Sequence, residues 1–242
     1  MRKDTIKLYA ALFACVSLLS CGGKSSREQG CDKNLSDYLP YPYNVEQVNN
    51  KEMKYLKKFT NADFYKDGQF QQDVAMKAMK DMFKFYGVPF TKLMEKDMWV
   101  TDFGLGDFEN VGMGGIFWVN DPEYKYFAHA IYLLPGQMIP EHVHVTTEGH
   151  PAKHESWMVN HGWVYNFSTE GEETPGAPAI PATHGRIQSK NFTVQHVGDV
   201  LRLKELGTFH FMMAGPEGAI VDEWACYHDN AGLKFTNKKA SL

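Results

Sequence analysis

From Trp99 onward the chain is written in short runs of β-branched and aromatic residues, each closed off by Gly, Pro or Asn. The runs are Gly115–Val119, Tyr126–Leu134, Trp157–Val159, Trp163–Phe167, Phe192–Val197, Val200–Leu203, Thr208–Met213 and Ala219–Ala225. Residues of this kind fit a pleated, half-buried surface. Short strands at such density predict a β-sandwich or barrel rather than a parallel α/β sheet. Glu170 to Pro181, with several Gly and Pro residues, reads as a long connection.

Ahead of the β-rich part the period changes. Ala75, Ala78, Met79, Met82, Phe83 and Tyr86 recur at helical spacing, so a helix is expected from about Asp73 to Tyr86, stopped by Gly87 and Pro89. A second, less clearly marked helix is expected in the same N-terminal part. The Met and Phe stripe reads as core packing.

The first residues read as a targeting segment. Arg2, Lys3 and Lys7 are basic, and the apolar stretch Leu8 to Leu19 is too short to span a bilayer. Leu18-Leu19-Ser20-Cys21-Gly22 resembles the lipobox of bacterial lipoproteins. Residues 1–20 are therefore expected to be a signal peptide, with lipid on Cys21 anchoring the chain to a membrane of the cell envelope. Residues 21–50 read as a lipidated tether and extended arm, first small and polar, then rich in Tyr and Pro. Residues 51–242 suffice for one domain with a sizeable core. A net charge of −4 shows no nucleic-acid footprint. Aromatic residues at 14% suit a β-rich core or a carbohydrate-facing pocket. Once Cys15 and Cys21 are assigned, only Cys31 and Cys226 are left, which excludes a disulfide framework.

Chemistry concentrates in PGQMIPEHVHVTTEGHPAKHESWMVNHG. On a strand, His142 and His144 point to the same side. Neutral imidazoles so placed can share a divalent metal, with a carboxylate and a third histidine completing the set. Gly136, five residues, His142, one residue, His144 matches the opening of the first cupin motif, which continues with Glu, six residues and Gly. Glu148 has the usual short spacing but no glycine six residues beyond it. Glu155 has Gly162 in place, so Glu155 is the chosen ligand, Glu148 the runner-up, and the loop before Lys153 carries an insertion. The second cupin motif is looser. Gly198 and Gly207-Thr208-Phe209-His210 keep the glycine three before the histidine, while Lys204 and Ala214 replace the usual Pro and Asn. The fold expected is mainly β, a cupin double-stranded β-helix (jelly-roll barrel) preceded by one or two N-terminal helices. In such a barrel inward residues of neighbouring strands converge. His150 and His154 read as solvated loop residues. His129, His161, His184 and His196 read as surface or satisfied core residues, and His228 belongs at most to the pocket rim.

The chain resembles the D-lyxose ketol-isomerases, a cupin family of sugar isomerases. The resemblance runs from about Asp73 to the C-terminus. It is carried by FYGVPF, WVTDFGLGDFENVG (Trp99 to Gly112), LLPGQMIPEHVH, Lys153-His154-Glu155 and DEWACYHDNAG. It implies His142, His144, Glu155 and His210 as metal ligands, with manganese the expected ion and zinc, iron or cobalt as alternatives. It also implies Lys153 and Glu223 as the catalytic pair, Asp229 as a substrate-binding residue, and a homodimer. The activity implied is metal-dependent exchange of an aldose such as D-lyxose or D-mannose with its ketose. Two other functions remain open: a non-catalytic sugar-binding cupin lipoprotein, and an iron-dependent cupin oxygenase. An envelope lipoprotein is an unusual setting for a family whose isomerases usually work in the cytoplasm.

Overall fold

The computed structural model describes residues 54–242. The expected signal peptide over 1–20, the expected lipidation site Cys21, the expected tether over 21–50 and Cys31 lie outside the described residues. Among the described residues no helix is long and apolar enough to cross a membrane.

A short helix α1 (Asn61–Phe64) and a hairpin of β1 (Tyr65–Lys66) and β2 (Gln69–Phe70) lead into helix α2 (Gln72–Tyr86). The expected apolar stripe is its buried face: Ala75, Ala78, Met79, Met82 and Phe83. Gly87 ends the helix with φ 68°, and its N–H bonds back to the carbonyls of Lys84 and Phe83. Burying each large side chain of that stripe contributes about 1.5–3 kcal/mol. A six-residue helix α3 (Lys92–Asp97) follows, capped by the Thr91 hydroxyl accepting from Met94 N–H at 3.3 Å.

The remainder is one antiparallel sheet of nine strands. These are β3 (Trp99–Thr101), β4 (Met113–Asp121), β5 (Tyr126–Leu133), β6 (His142–His144), β7 (Glu155–Ser168), β8 (Asn191–Gln195), β9 (Val200–Arg202), β10 (His210–Cys226) and β11 (Leu233–Phe235). The order is β11-β6-β10-β5-β4-β3, with β7 pairing β10, β8 and β9. The sheet curls on itself as the jelly-roll barrel expected from the sequence. Alternate residues of β5, Phe127, His129 and Ile131, face the interior cavity. The opposite face meets α2, where Phe83, Met79 and Met82 pack with Val100, Ile116, Tyr132 and Ile220. Gly114 in β4 makes that contact close, since a Cβ there would stand 2.3 Å from Met79 Sδ.

Two elements differ from the sequence reading. Trp157–Val159 and Trp163–Phe167 belong to one strand, β7, and Thr208–Met213 and Ala219–Ala225 lie almost wholly within β10. The glycines between them turn corners instead of ending strands. Gly162 has φ 70°, and a Cβ on it would fall 1.9 Å from the Gly218 carbonyl oxygen. The β7–β10 register shifts on either side of this crossing, between Ala214 and Ala219 and between Ile220 and Val221. The connection 170–181 contains neither helix nor strand, as expected.

Candidate active site

The barrel interior carries the chemistry. His142 on β6 stands directly across from His210 at the start of β10. His144, two residues on, projects to the same side, and Glu155 opens β7. The ligand atoms of His142, His144, Glu155 and His210 all lie within 4.8 Å of one another. Glu148 is exposed on the loop between β6 and Lys153. His150 contacts Lys125 and Tyr227, and His154 Nε2 donates to the Leu203 carbonyl, so neither joins the cluster.

Hydrogen bonds determine what this cluster can hold. His142 Nδ1 is 3.0 Å from the Pro140 carbonyl oxygen, and His210 Nδ1 is 2.9 Å from that of Thr208. A carbonyl only accepts, so both rings carry their proton on Nδ1 and leave Nε2 with a free lone pair. His210 Nε2 then faces Glu155 Oε2 at 2.9 Å, and that oxygen is buried without a hydrogen-bond partner. Two acceptors this close repel unless a cation or a proton lies between them. Burial and the neighbouring imidazoles hold His142 well below the usual histidine range. Burial alone would lower His210 too, but the Glu155 charge raises it. Backbone-oriented imidazoles beside a carboxylate form the donor set and outer hydrogen bonding typical of a divalent transition-metal site, and the residues present fit such an ion.

Next to the cluster stands a buried chain of charge. Lys153 Nζ donates to Glu155 Oε1 at 2.7 Å and, by a short hydrogen bond, to Glu223 Oε1. It also lies 4.3 Å from the centre of the Phe127 ring. Burial works against the ammonium, but the two carboxylates outweigh it and raise the Lys153 pKa. Burial would raise Glu223, and Lys153 reverses this, so its carboxyl titrates below the usual range. Glu155 is held well below that range, with Lys153 again the main force opposing burial. Two carboxylates against one ammonium leave unbalanced negative charge, which again favours a cation.

Glu223 has a further partner. It pairs across the strands with His129, whose Nδ1 is 3.5 Å from Glu223 Oε2. Burial lowers the His129 pKa, so the ring is neutral at pH 7. His129 is thus a cavity residue with an unpartnered Nε2, not the surface or satisfied core residue expected from the sequence, and its place in the alternation Phe127, His129, Ile131 points it inward. The sequence reading passed over Glu141. Its buried carboxylate accepts from Gln188 N–H, Ser189 N–H, the Ser189 hydroxyl and the Thr236 hydroxyl, fastening two loops beside His142.

A cavity opens onto His142, His144, Lys153, Glu155 and Glu223. Aromatic and aliphatic side chains form most of its wall, including Phe103, Phe117, Phe127 and Phe235. Asp229 is not among the lining residues. Its carboxylate accepts from the Thr147 hydroxyl at 2.7 Å and from Ala231 N–H at 2.9 Å, which makes it the cap of a 3-10 turn. The preceding residue, His228, lines the cavity instead.

No protein-family model matches the chain. The D-lyxose/D-mannose isomerase of Thermosediminibacter oceani is 36% identical over 145 residues, 58% of this chain and 76% of that protein. The D-lyxose ketol-isomerase of Cohnella laeviribosi is 30% identical over 161 residues, 66% of this chain and 86% of that one. The chain belongs to the D-lyxose ketol-isomerase family. The L-ribose isomerase of Acinetobacter sp. DL28, solved with L-ribose, shares the fold at a TM-score of 0.56. It is 16% identical, and the match covers 77% of this chain and 96% of that one.

Proposed function

We propose that this protein is a metal-dependent aldose–ketose isomerase acting on D-lyxose, D-mannose or a closely related aldose. The observation that carries the reading is Lys153, buried and shared between the metal-cluster carboxylate Glu155 and the separate carboxylate Glu223. Manganese is the expected ion, and a divalent ion there supplies Lewis-acid polarisation of the sugar carbonyl. The remaining chemistry falls to the chain. Isomerisation moves one hydrogen between C1 and C2. Lys153, held protonated by its two carboxylates, is a poor proton acceptor, which supports Glu223 as the base. Oε1 of Glu223 is engaged by Lys153, whereas Oε2 has only the longer 3.5 Å contact with His129 Nδ1, so Oε2 is the oxygen suited to take the C2 proton and return it to C1 through an enediol, while the hydroxyl proton of O2 passes to O1. The Lys153 ammonium is suited to stabilise oxyanion charge developing between the two carboxylates. The aromatic wall excludes water from the enediol. Among the described residues that line the cavity Lys153 is the only Lys or Arg, and it is already paired, which favours a neutral sugar over a sugar phosphate.

The decisive experiment loads the full chain with manganese and follows D-lyxose and D-mannose against their ketoses. Interconversion supports the isomerase. Sugar binding without turnover across a broad panel would point to the non-catalytic binding protein, and oxygen consumption with iron to the oxygenase. The lipid anchor and envelope location belong to the same proposal. Acylation at Cys21, read from the mass of the mature N-terminus and its loss in Cys21→Ser, tests them. Light scattering tests the homodimer.

A further inference from the structure

Six buried side-chain polar atoms among the described residues lack a hydrogen-bond partner, and four belong to residues lining the cavity beside the metal cluster: Trp99 Nε1, His129 Nε2, Glu155 Oε2 and His228 Nδ1. Each such atom costs stability unless a ligand satisfies it. Glu155 Oε2 belongs to the metal cluster. The other three lie where a sugar's remaining hydroxyls would be buried, in a wall whose other side chains, outside the metal cluster and the Lys153–Glu223 pair, are apolar.

His228 is the best prepared of the three. Its backbone is clamped by Asn120, which accepts from His228 N–H at 2.9 Å and donates to the His228 carbonyl at 2.9 Å. Its ring stacks on Phe127 at 5.3 Å and 25°. Nε2 lies 2.8 Å from Asn230 Oδ1, an acceptor, so Nε2 carries the proton and Nδ1 presents a lone pair. A locked ring with a fixed tautomer and one unused acceptor is a preorganised recognition group. We infer that His228 is a specificity-determining residue whose Nδ1 accepts a hydrogen bond from a substrate hydroxyl remote from C1 and C2, with Trp99 Nε1 donating to a second sugar oxygen. The inference rests on the sugar-isomerase reading for its ligand class, and it deepens that reading by naming the groups that choose among aldoses.

The test combines variants with substrates that lack single hydroxyls. Full-length, manganese-loaded wild type and His228→Phe are compared on D-lyxose and its deoxy analogues at C3, C4 and C5, with metal content measured for each. Calorimetric binding of the pentitol corresponding to D-lyxose supplies a readout independent of turnover. One deoxy analogue should fall about 10- to 100-fold in kcat/KM with wild type, the loss of one well-placed hydrogen bond. His228→Phe should lose a similar factor on the parent sugar and nothing further on that analogue, and its pentitol affinity should fall in parallel with metal content unchanged. Asn230→Leu, which frees the ring without removing it, should show the same loss of discrimination in milder form, and it carries the test if His228→Phe does not fold. Wild-type affinity and unchanged discrimination in these variants would overturn the inference while leaving the isomerase reading intact. Pentitol binding that depends on His228, in a protein that turns over no aldose, would support the inference and remove the isomerase reading. A wild type that neither turns over nor binds any of these sugars overturns both.

Discussion

The two faces of the sheet are both buried, and they are built on opposite terms. Against α2 the packing is almost purely apolar: Phe83 meets Tyr132 at 4.5 Å between ring centres and Phe90 at 5.1 Å, with Met79 and Met82 fully enclosed. On the inner face the barrel buries His129, His210 and Glu223 from two of those strands, together with His144 on β6, Glu155 on β7 and Lys153 just before β7. Taking charges out of water is expensive, and mutual pairing recovers only part of that cost. The helix-backed face therefore contributes stability that the inner face consumes in holding unpartnered polar atoms for a ligand. Substitutions should separate accordingly: on the inner face they remove metal or turnover, and on the helix-backed face they remove stability while leaving the chemistry alone.

The sharpest break is at Glu155. Its carboxylate is the one anionic member of the metal cluster, so Glu155→Gln should weaken metal binding by more than about 100-fold, beyond what loss of an outer-shell partner costs. Metal analysis after dialysis measures this. Glu148→Gln, on the exposed loop, should retain the metal, and the reverse pattern would overturn the choice of ligand. Next comes Glu223→Gln. Removing a general base costs about 10²- to 10⁴-fold, so kcat should fall by that order while metal content stays full. A variant that keeps its activity would remove Glu223 from the proton transfer. On the other face, Phe83→Ala should cost about 3–5 kcal/mol of stability, read from urea unfolding, with kcat/KM per folded molecule unchanged. A large drop in kcat/KM there would mean the two faces are mechanically coupled.

The same contrast governs how much of the molecule is legible in its sequence. The helix was legible because its apolar stripe recurs at one period, and His142 and His144 were legible because alternate strand residues share a face. Glu155 was legible through Gly162, whose left-handed conformation lets β7 cross under the Gly218 carbonyl. The same glycines misled the strand boundaries, since a residue that allows a sharp turn also allows a corner within a continuous strand. His129 carried a readable signal in its alternation with Phe127 and Ile131. Asp229 and His228 did not. They lie beyond the end of β10, where the pleat no longer fixes direction, and capping chemistry turns Asp229 toward Thr147 and Ala231 while His228 goes inward.

The smallest effect concerns that inward histidine and asks how dry the inner face is. Burial, with the Lys153 charge adding to it, lowers His228 to about 4. In the unfolded chain the ring takes up its proton near the ordinary value of about 6.5. Above about 6.5 both states are neutral and the group has no effect on stability. As pH falls from about 6.5 toward 4, the unfolded state binds a proton that the folded state does not, so stability is lost. The full difference is roughly 3 kcal/mol. His228→Gln cannot titrate, so metal-free variant should lose correspondingly less stability than metal-free wild type between pH 7 and pH 4.5 in urea unfolding. The groups whose charges reach His228, Lys153, His144 and Glu223, are present in both proteins, and their shared contribution cancels in the comparison. Equal losses in the two proteins would mean that water reaches His228 and that the inner face is wetter than its packing implies. A shallower loss in the variant would tie the cost of the inner face to a residue that packing against α2 does not involve.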